Sequence, residues 1–230
     1  MVNMQGGCAK HDLEAVINIG DQAYTIPTAK LPYLASFIRS QRKTQPDASE
    51  ISHEPIKLFD VALKGVDAGY RHYFRSLPID LHQYRILFET YKLLDVDILN
   101  GKSNDQVIAN LKVGKSDYDP EERRHIRGAK SLARDTAFQL LYSILYTELE
   151  DQTKDAMKLY NAVMFVVSHP GTFKHSTKRV IRLAYEERFS LTMKQKQGLD
   201  KWEKSEDAKY DKDVTTEEEP NYYSDSDYSL

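Results

Sequence analysis

Strand-like alternation of apolar residues is confined to the first sixty positions, and from Leu63 onward apolar residues recur at helical spacing. A chain patterned in this way can build only a small sheet, so most of its core must come from helix faces. The strand-like part opens with Ala15-Val16-Ile17-Asn18-Ile19, a β-branched run, followed by Gly20-Asp21-Gln22 and then Ala23-Tyr24-Thr25-Ile26. Two such runs around a Gly-Asp turn predict a β-hairpin, and Pro27, which donates no ladder hydrogen bond, ends its second strand. Leu31, Leu34, Phe37 and Ile38 then fall on one face of a short amphipathic helix. The polar stretch 39–55 reads as a loop, and Ile56-Lys57-Leu58-Phe59-Asp60 reads as one more short strand.

The helical part begins with Leu63, Val66, Tyr70, Tyr73, Phe74 and Leu77, one stripe that predicts a single helix up to Pro78. Gly65 and Gly69 weaken that helix and leave room for another backbone to approach. Asp80 with Gln83 is a capping-box-like start for a helix burying Leu81, Tyr84, Leu87, Phe88, Tyr91 and Leu94. A small helix after Asn104 would use Val107, Ile108 and Leu111. Asp119-Pro120-Glu121-Glu122 combines an acidic N-cap, a proline at the first helical position and acids in the first turn. It predicts a helix whose stripe continues through Ile126, Ala129, Ala133, Ala137, Leu140, Leu141, Ile144 and Leu145, with Gly128 as a point where it can break. Ala156, Leu159, Tyr160, Val163 and Val167 mark another, stopped by Ser168-His169-Pro170-Gly171, and Val180, Ile181, Ala184, Tyr185 and Leu191 mark a last one.

Charge divides the chain more sharply than its net value of -3 suggests. From Glu203 onward there are 10 acidic side chains against 3 lysines, so the preceding 202 residues carry +4. Apolar residues become scarce after Trp202, which predicts a disordered acidic tail over 203–230. Within it, Ser224-Asp225-Ser226-Asp227 sets an acid three residues after a serine, which makes Ser224 and Ser226 candidate phosphorylation sites. The expected organisation is a flexible leader (1–14), a mixed domain (15–112), an all-helical region (118–202) and the tail (203–230).

The ordered set of elements resembles the BTB/POZ fold, in particular its filamentous-fungal members. Val16-Ile17-Asn18-Ile19-Gly20 with Tyr24-Thr25-Ile26 is similar to the opening hairpin, and Leu31-Pro32-Tyr33-Leu34-Ala35-Ser36-Phe37-Ile38 to the first helix. Ile56-Lys57-Leu58-Phe59-Asp60 stands where the family has its third strand. Tyr70-Arg71-His72-Tyr73-Phe74-Arg75 and Leu81 to Leu99 stand where it has the next two helices. The likeness covers about residues 15–112. The Asn18-Ile19-Gly20-Asp21 turn resembles that of the potassium-channel tetramerisation subgroup, and Phe74-Arg75-Ser76-Leu77-Pro78 replaces the usual Tyr-Thr-Gly helix ending.

The fold class implied is α+β: a BTB/POZ-like small sheet with surrounding helices, then an all-helical region and a disordered acidic tail. The function implied is protein–protein interaction, as an adaptor that self-associates, with a dimer favoured over higher rings. Partner proteins of the cullin or corepressor classes are part of that implication. Leu31, Leu34, Phe37 and Ile38 are then the candidate interaction residues, and the alternative for all four is intramolecular core.

Other chemistry leaves no trace in the sequence. The ten glycines form neither G-x-G-x-x-G nor G-x-x-x-x-G-K, G-x-S-x-G is missing, and the seven histidines include no H-E-x-x-H. Cys8 is the only cysteine, so no intramolecular disulfide or cysteine-rich zinc site is expected. No enzyme activity, catalytic residue, cofactor or metal site is assigned. The longest clean apolar run, Ala162 to Val167, is far below the ~20 residues of a membrane span, and no secretory signal is visible. The expected location is intracellular, nuclear or cytoplasmic.

Residues 172–202 carry +5, with Lys178, Arg179, Arg182 and Arg188 on the last predicted helix as a candidate basic surface. No groove-reading motif accompanies them, so nucleic acid is not the expected partner. The alternative function is a nucleic-acid-associated regulator that uses this helix.

Overall fold

Strand β1 (Glu14–Ile19) pairs antiparallel with β2 (Gln22–Pro27), in register from Glu14 opposite Pro27 to Ile19 opposite Gln22. This is a computed structural model, and it describes residues 14–114, 117–119, 124–126, 129–149, 151–169 and 171–201. Ile17, Ile19 and Ile26 are buried on the inner face of the hairpin. Helix α1 (Pro32–Thr44) starts with proline at its first position, where a missing N–H costs nothing, and buries Leu34 and Ile38. The chain then returns as β3 (Ser52–His53), parallel to β1, giving the sheet order β2-β1-β3.

The third strand thus lies upstream of the expected Ile56–Asp60. Asn18 and Gly20 donate their amides to the carbonyls of Ile51 and His53, at 2.8 and 3.0 Å. Residues 56–58 form a turn instead, in which Leu58 has φ 52° and Thr90 Oγ1 donates to the Lys57 carbonyl at 2.7 Å. The buried ring of Phe59 opens helix α2 (Phe59–Ala68) and meets Tyr24 edge-on at 4.8 Å, so it fills core space rather than a ladder position.

The single helix expected up to Pro78 is bent. Helix α2 ends at Gly69, whose φ of 86° suits glycine, and a 3-10 turn (Tyr70–His72) leads into α3 (Tyr73–Ser76). The bend is held from outside, because an Asp135 carboxylate oxygen accepts the Arg71 amide at 2.6 Å. A Cβ at position 69 would lie 2.9 Å from that same oxygen.

Helix α4 (Leu81–Leu93) is capped by the Asp80 side chain, which accepts the His82 amide at 2.9 Å. Helix α5 (Asn104–Lys112) has a full capping box between Ser103 and Gln106. Next come β4 (Asp117–Asp119) and β5 (Arg124–Ile126), an antiparallel hairpin, so the helix predicted from Asp119 begins later, as α6 (Lys130–Tyr146). Asp119, expected as the N-cap of that helix, is paired with Arg124 instead. Helices α7 (Gln152–Ser168) and α8 (His175–Arg188) follow.

Helix α6 is buried nearly all round, from Ala133 through Thr136, Ala137, Phe138, Leu140, Leu141 and Ile144. It packs against α5, the 3-10 turn and α8, so the later helices lie directly on the elements before them. At its centre the Phe138 ring lies 4.7 Å from Tyr73 and 5.0 Å from both Tyr70 and Phe88. Beside this cluster the Tyr91 hydroxyl donates to the Ala62 carbonyl at 2.9 Å and is itself hydrogen-bonded to the Tyr73 hydroxyl. Gly65 makes room for that pair: a Cβ there would overlap the Tyr73 hydroxyl and lie 2.6 Å from that of Tyr91. The close approach that Gly65 permits is therefore by two phenols rather than by a backbone.

Residues up to Ser190 form one compact unit and a second begins at Leu191. In the second, helix α9 (193–201) starts with a capping box, in which Gln195 Oε1 accepts the Thr192 amide at 2.9 Å and Thr192 Oγ1 accepts the Gln195 amide at 3.3 Å. The architecture is α+β, as expected. Among the described residues no helix is long and apolar enough to cross a membrane. Residues 1–13 with Cys8, the pair Glu121 and Glu122, and the segment 203–230 with Ser224 and Ser226 lie outside the described residues.

Phe138→Ala removes the ring that joins α6 to the preceding helices and is expected to destabilise the protein by about 3–5 kcal/mol. Gly65→Ala forces the tyrosine pair apart, with an expected loss of about 1–3 kcal/mol. Urea unfolding followed by circular dichroism measures both.

Candidate interaction surface

Helix α1 was the first expected contact surface, and its apolar residues are used within the chain. Leu31, Leu34 and Ile38 are core residues, which corrects their reading as a partner patch. The physical reason is that one face of α1 is needed to cover its own small sheet. Phe37 is half-buried, stacked on Tyr33 and edge-on to His53 at 4.8 Å. His53 Nδ1 lies 2.7 Å from the Glu54 carbonyl, which can only accept. In the neutral ring the proton therefore sits on Nδ1, and the Tyr33 hydroxyl donates to Nε2 at 2.9 Å. Tyr33, Phe37 and His53 together fasten α1 to β3.

The sheet itself offers a different surface. Strand β3 pairs with Asn18 and Ile19 only, so on that side Glu14–Ile17 face no strand among the described residues. The amides of Asn18 and Gly20 point to the β3 side. By the two-residue period of a strand, the N–H and C=O of Val16 address the same side. A slot of about 890 Å³ runs along this half-edge, lined among others by Val16, Gln41, Gln45, Pro46 and Ile51. The Val16 side chain is 63% exposed, whereas Ile17 and Ile19 point into the core. The signal was present in the sequence: in Val16-Ile17-Asn18-Ile19, Val16 is apolar at an outward position of the alternation.

Two of the four residues expected to form a basic face on α8 are buried. Lys178 is 5% exposed and Arg182 is 8% exposed, with Arg182 Nε donating to Glu186 Oε1 at 2.8 Å. Arg188 donates to the carbonyls of Ser143, Ile144 and Thr147, at 3.3, 2.6 and 2.7 Å, and so caps the C-terminal end of α6. Arg179 is half-buried. The aliphatic stems of these side chains lie against the helices beneath, which is why the helix could carry them inward.

A second cleft, of about 600 Å³, is lined in part by Gly69, Tyr70, Asp97, Lys102, Asp135 and Gln139. Its polar groups are tied to the frame. Asp97 accepts the amides of Leu99 and Gly101, at 2.9 and 2.6 Å, Gln139 Nε2 donates to the Ile98 carbonyl, and Lys102 donates to Gln139. Burial pushes the Tyr70 phenol up to about 12, helped by the negative charges of Asp97 and Asp135. Burial also raises the Asp135 carboxyl, against the pull of the Arg71 amide and the Arg71 and His72 charges. Among the described residues no three His, Cys, Asp or Glu side chains gather so as to hold a metal ion.

Comparison with known families, curated proteins and solved structures finds no match to this chain. The surfaces are therefore read from their own geometry.

The raised phenols give a pH dependence with a definite sign. Tyr70 ionises near 10 when unfolded and near 12 when folded, so the folded state holds its proton more tightly. The stability this contributes is complete below pH 10 and lost as pH rises from 10 toward 12. Tyrosinate absorbance and circular dichroism recorded together should show a group of tyrosines that ionise only as the helices unfold. Full ionisation with the helical signal intact would contradict this.

Proposed function

We propose that the chain is a non-enzymatic protein-interaction module that self-associates as a dimer and recruits other proteins in the manner of an adaptor. The observation that carries the reading is the half-open edge of β1, where an outward Val16 and a strand edge with no partner strand among the described residues border a slot. An unpaired edge is a template for another strand. Placed antiparallel across a two-fold axis near Val16, the β1 strands of two copies would satisfy each other's free groups, since the same patch serves on both sides. The chain order supports a BTB/POZ-like reading: a hairpin, a helix, a strand returning parallel to the first, then helices. Cullin or corepressor classes stay within that reading as partners.

Sedimentation of the full chain should give a species of twice the chain mass at micromolar concentration. Val16→Lys puts a charge on the edge and should return the protein to monomer, with stability changed by no more than about 0.5 kcal/mol, as for an exposed site. A strict monomer for the unmodified chain, or a dimer unaffected by Val16→Lys, would refute the proposed contact.

A further inference from the structure

The positive surface sought on α8 occurs instead around the bend between α2 and α3. Arg71, in the 3-10 turn, and Arg75, in α3, are both exposed. Arg134 approaches from α6, its Nε donating to the Thr172 carbonyl at 2.6 Å. The three are brought together by backbone ties. Asp135 accepts the Arg71 amide at 2.6 Å, which sets residue 71 against the neighbour of Arg134. Ser176 Oγ donates to the Phe74 carbonyl at 2.6 Å, which holds the residue before Arg75 against the start of α8.

Among the described residues, no carboxylate lies within ion-pair distance of any of the three guanidinium groups. Asp135, the acid adjacent to Arg134 in the chain, is committed to the amides of Tyr70 and Arg71. Burial first, then the charges of Arg75 and Arg71, lower the proton affinity of Arg134, which agrees with three cations held near one another. Like charges held near one another repel, and the one carboxylate in reach, Asp135, acts on Arg71 while its oxygens are taken by backbone amides.

We infer that Arg71, Arg75 and Arg134 form a binding site for a phosphorylated segment of a partner protein. A phosphate carries close to two negative charges and three acceptor oxygens, which planar guanidinium groups meet with paired hydrogen bonds. One acid stands beside the site: Asp135 accepts the Arg71 amide and lies close enough to feel the Arg71 charge. A carboxylate at that position weighs against a long polyanion such as nucleic acid more than against one phosphate held by three side chains. The inference rests on the interaction-module reading for the partner being a protein, but it does not use the β1 edge.

Fluorescence anisotropy tests it on the full chain. The probes are a labelled pool of phosphoserine and phosphothreonine peptides with randomised flanks, the same pool unphosphorylated, and a single-stranded oligonucleotide. The phosphorylated pool should bind at least about tenfold more tightly than its unmodified twin, as charge-assisted hydrogen bonds imply. Arg71→Glu and Arg75→Glu, both at exposed positions, should each abolish most of that difference while leaving the thermal midpoint in place. Equal binding of the two peptide pools would overturn the inference. So would phosphate-dependent binding that survives both substitutions, or an oligonucleotide that binds more tightly than the phosphopeptides through the same arginines. Because anisotropy reads a monomer as well as a dimer, failure of self-association leaves this result interpretable, and a dimer that ignores phosphopeptides refutes this site alone.

Discussion

The Phe138 ring is the contact through which the two halves of the larger unit become one. It is fully buried on a helix that is itself surrounded, and it touches residues of the 3-10 turn, α3 and α4 at once. Aromatic pairs at tilted or edge-on angles add to ordinary area burial, so a single ring with several such neighbours concentrates stability in a small volume. The surrounding details follow from it. The chain must turn at Gly69 for Tyr70 and Tyr73 to reach the ring, Gly65 must lack a side chain for the two phenols to fit, and Asp135, three residues earlier on α6, holds the turn.

Much of this was legible before any coordinates. The stripes of α4, α5, α7 and α8 and the β1–β2 hairpin are local patterns, and local patterns survive folding when the core uses the same face that the period defines. The failures have one cause. The bend at Gly69 is imposed by a carboxylate 64 positions away from Arg71, and no window of sequence contains both. The position of β3 is decided by which carbonyls Asn18 and Gly20 can reach, while the apolar Phe59 beyond it answers to Tyr24. The segment at Asp119 carried a helix-start signature that strand pairing overrode.

The surfaces show the same pattern in reverse. Charge counted along the chain placed the basic face on α8, but a long cationic side chain can turn its head to carbonyls or acids and bury its stem, as Arg182 and Arg188 do. The arginines that gather without an ion-paired acid among the described residues, Arg71, Arg75 and Arg134, come from two distant segments and form no run in the sequence. Likewise the four residues of α1 made a plausible contact patch by period alone, and the sheet beneath them claimed three. The outward Val16 was the one sign of an open surface that the alternation of β1 already contained.

The place of Phe138 in the chain has a consequence for synthesis. Tyr73 leaves the ribosome 65 residues ahead of it, an interval of roughly 3–13 s at ordinary rates of elongation. During that time the nascent chain has the β1–β2 hairpin and the first helices in hand, with their aromatic side chains still lacking the ring they close upon. The hairpin can form from local contacts alone, whereas the bend at Gly69 has to wait for Asp135. Slow translation between these points would lengthen the exposure of the tyrosines, and a chain released before α6 would lack the ring on which they close.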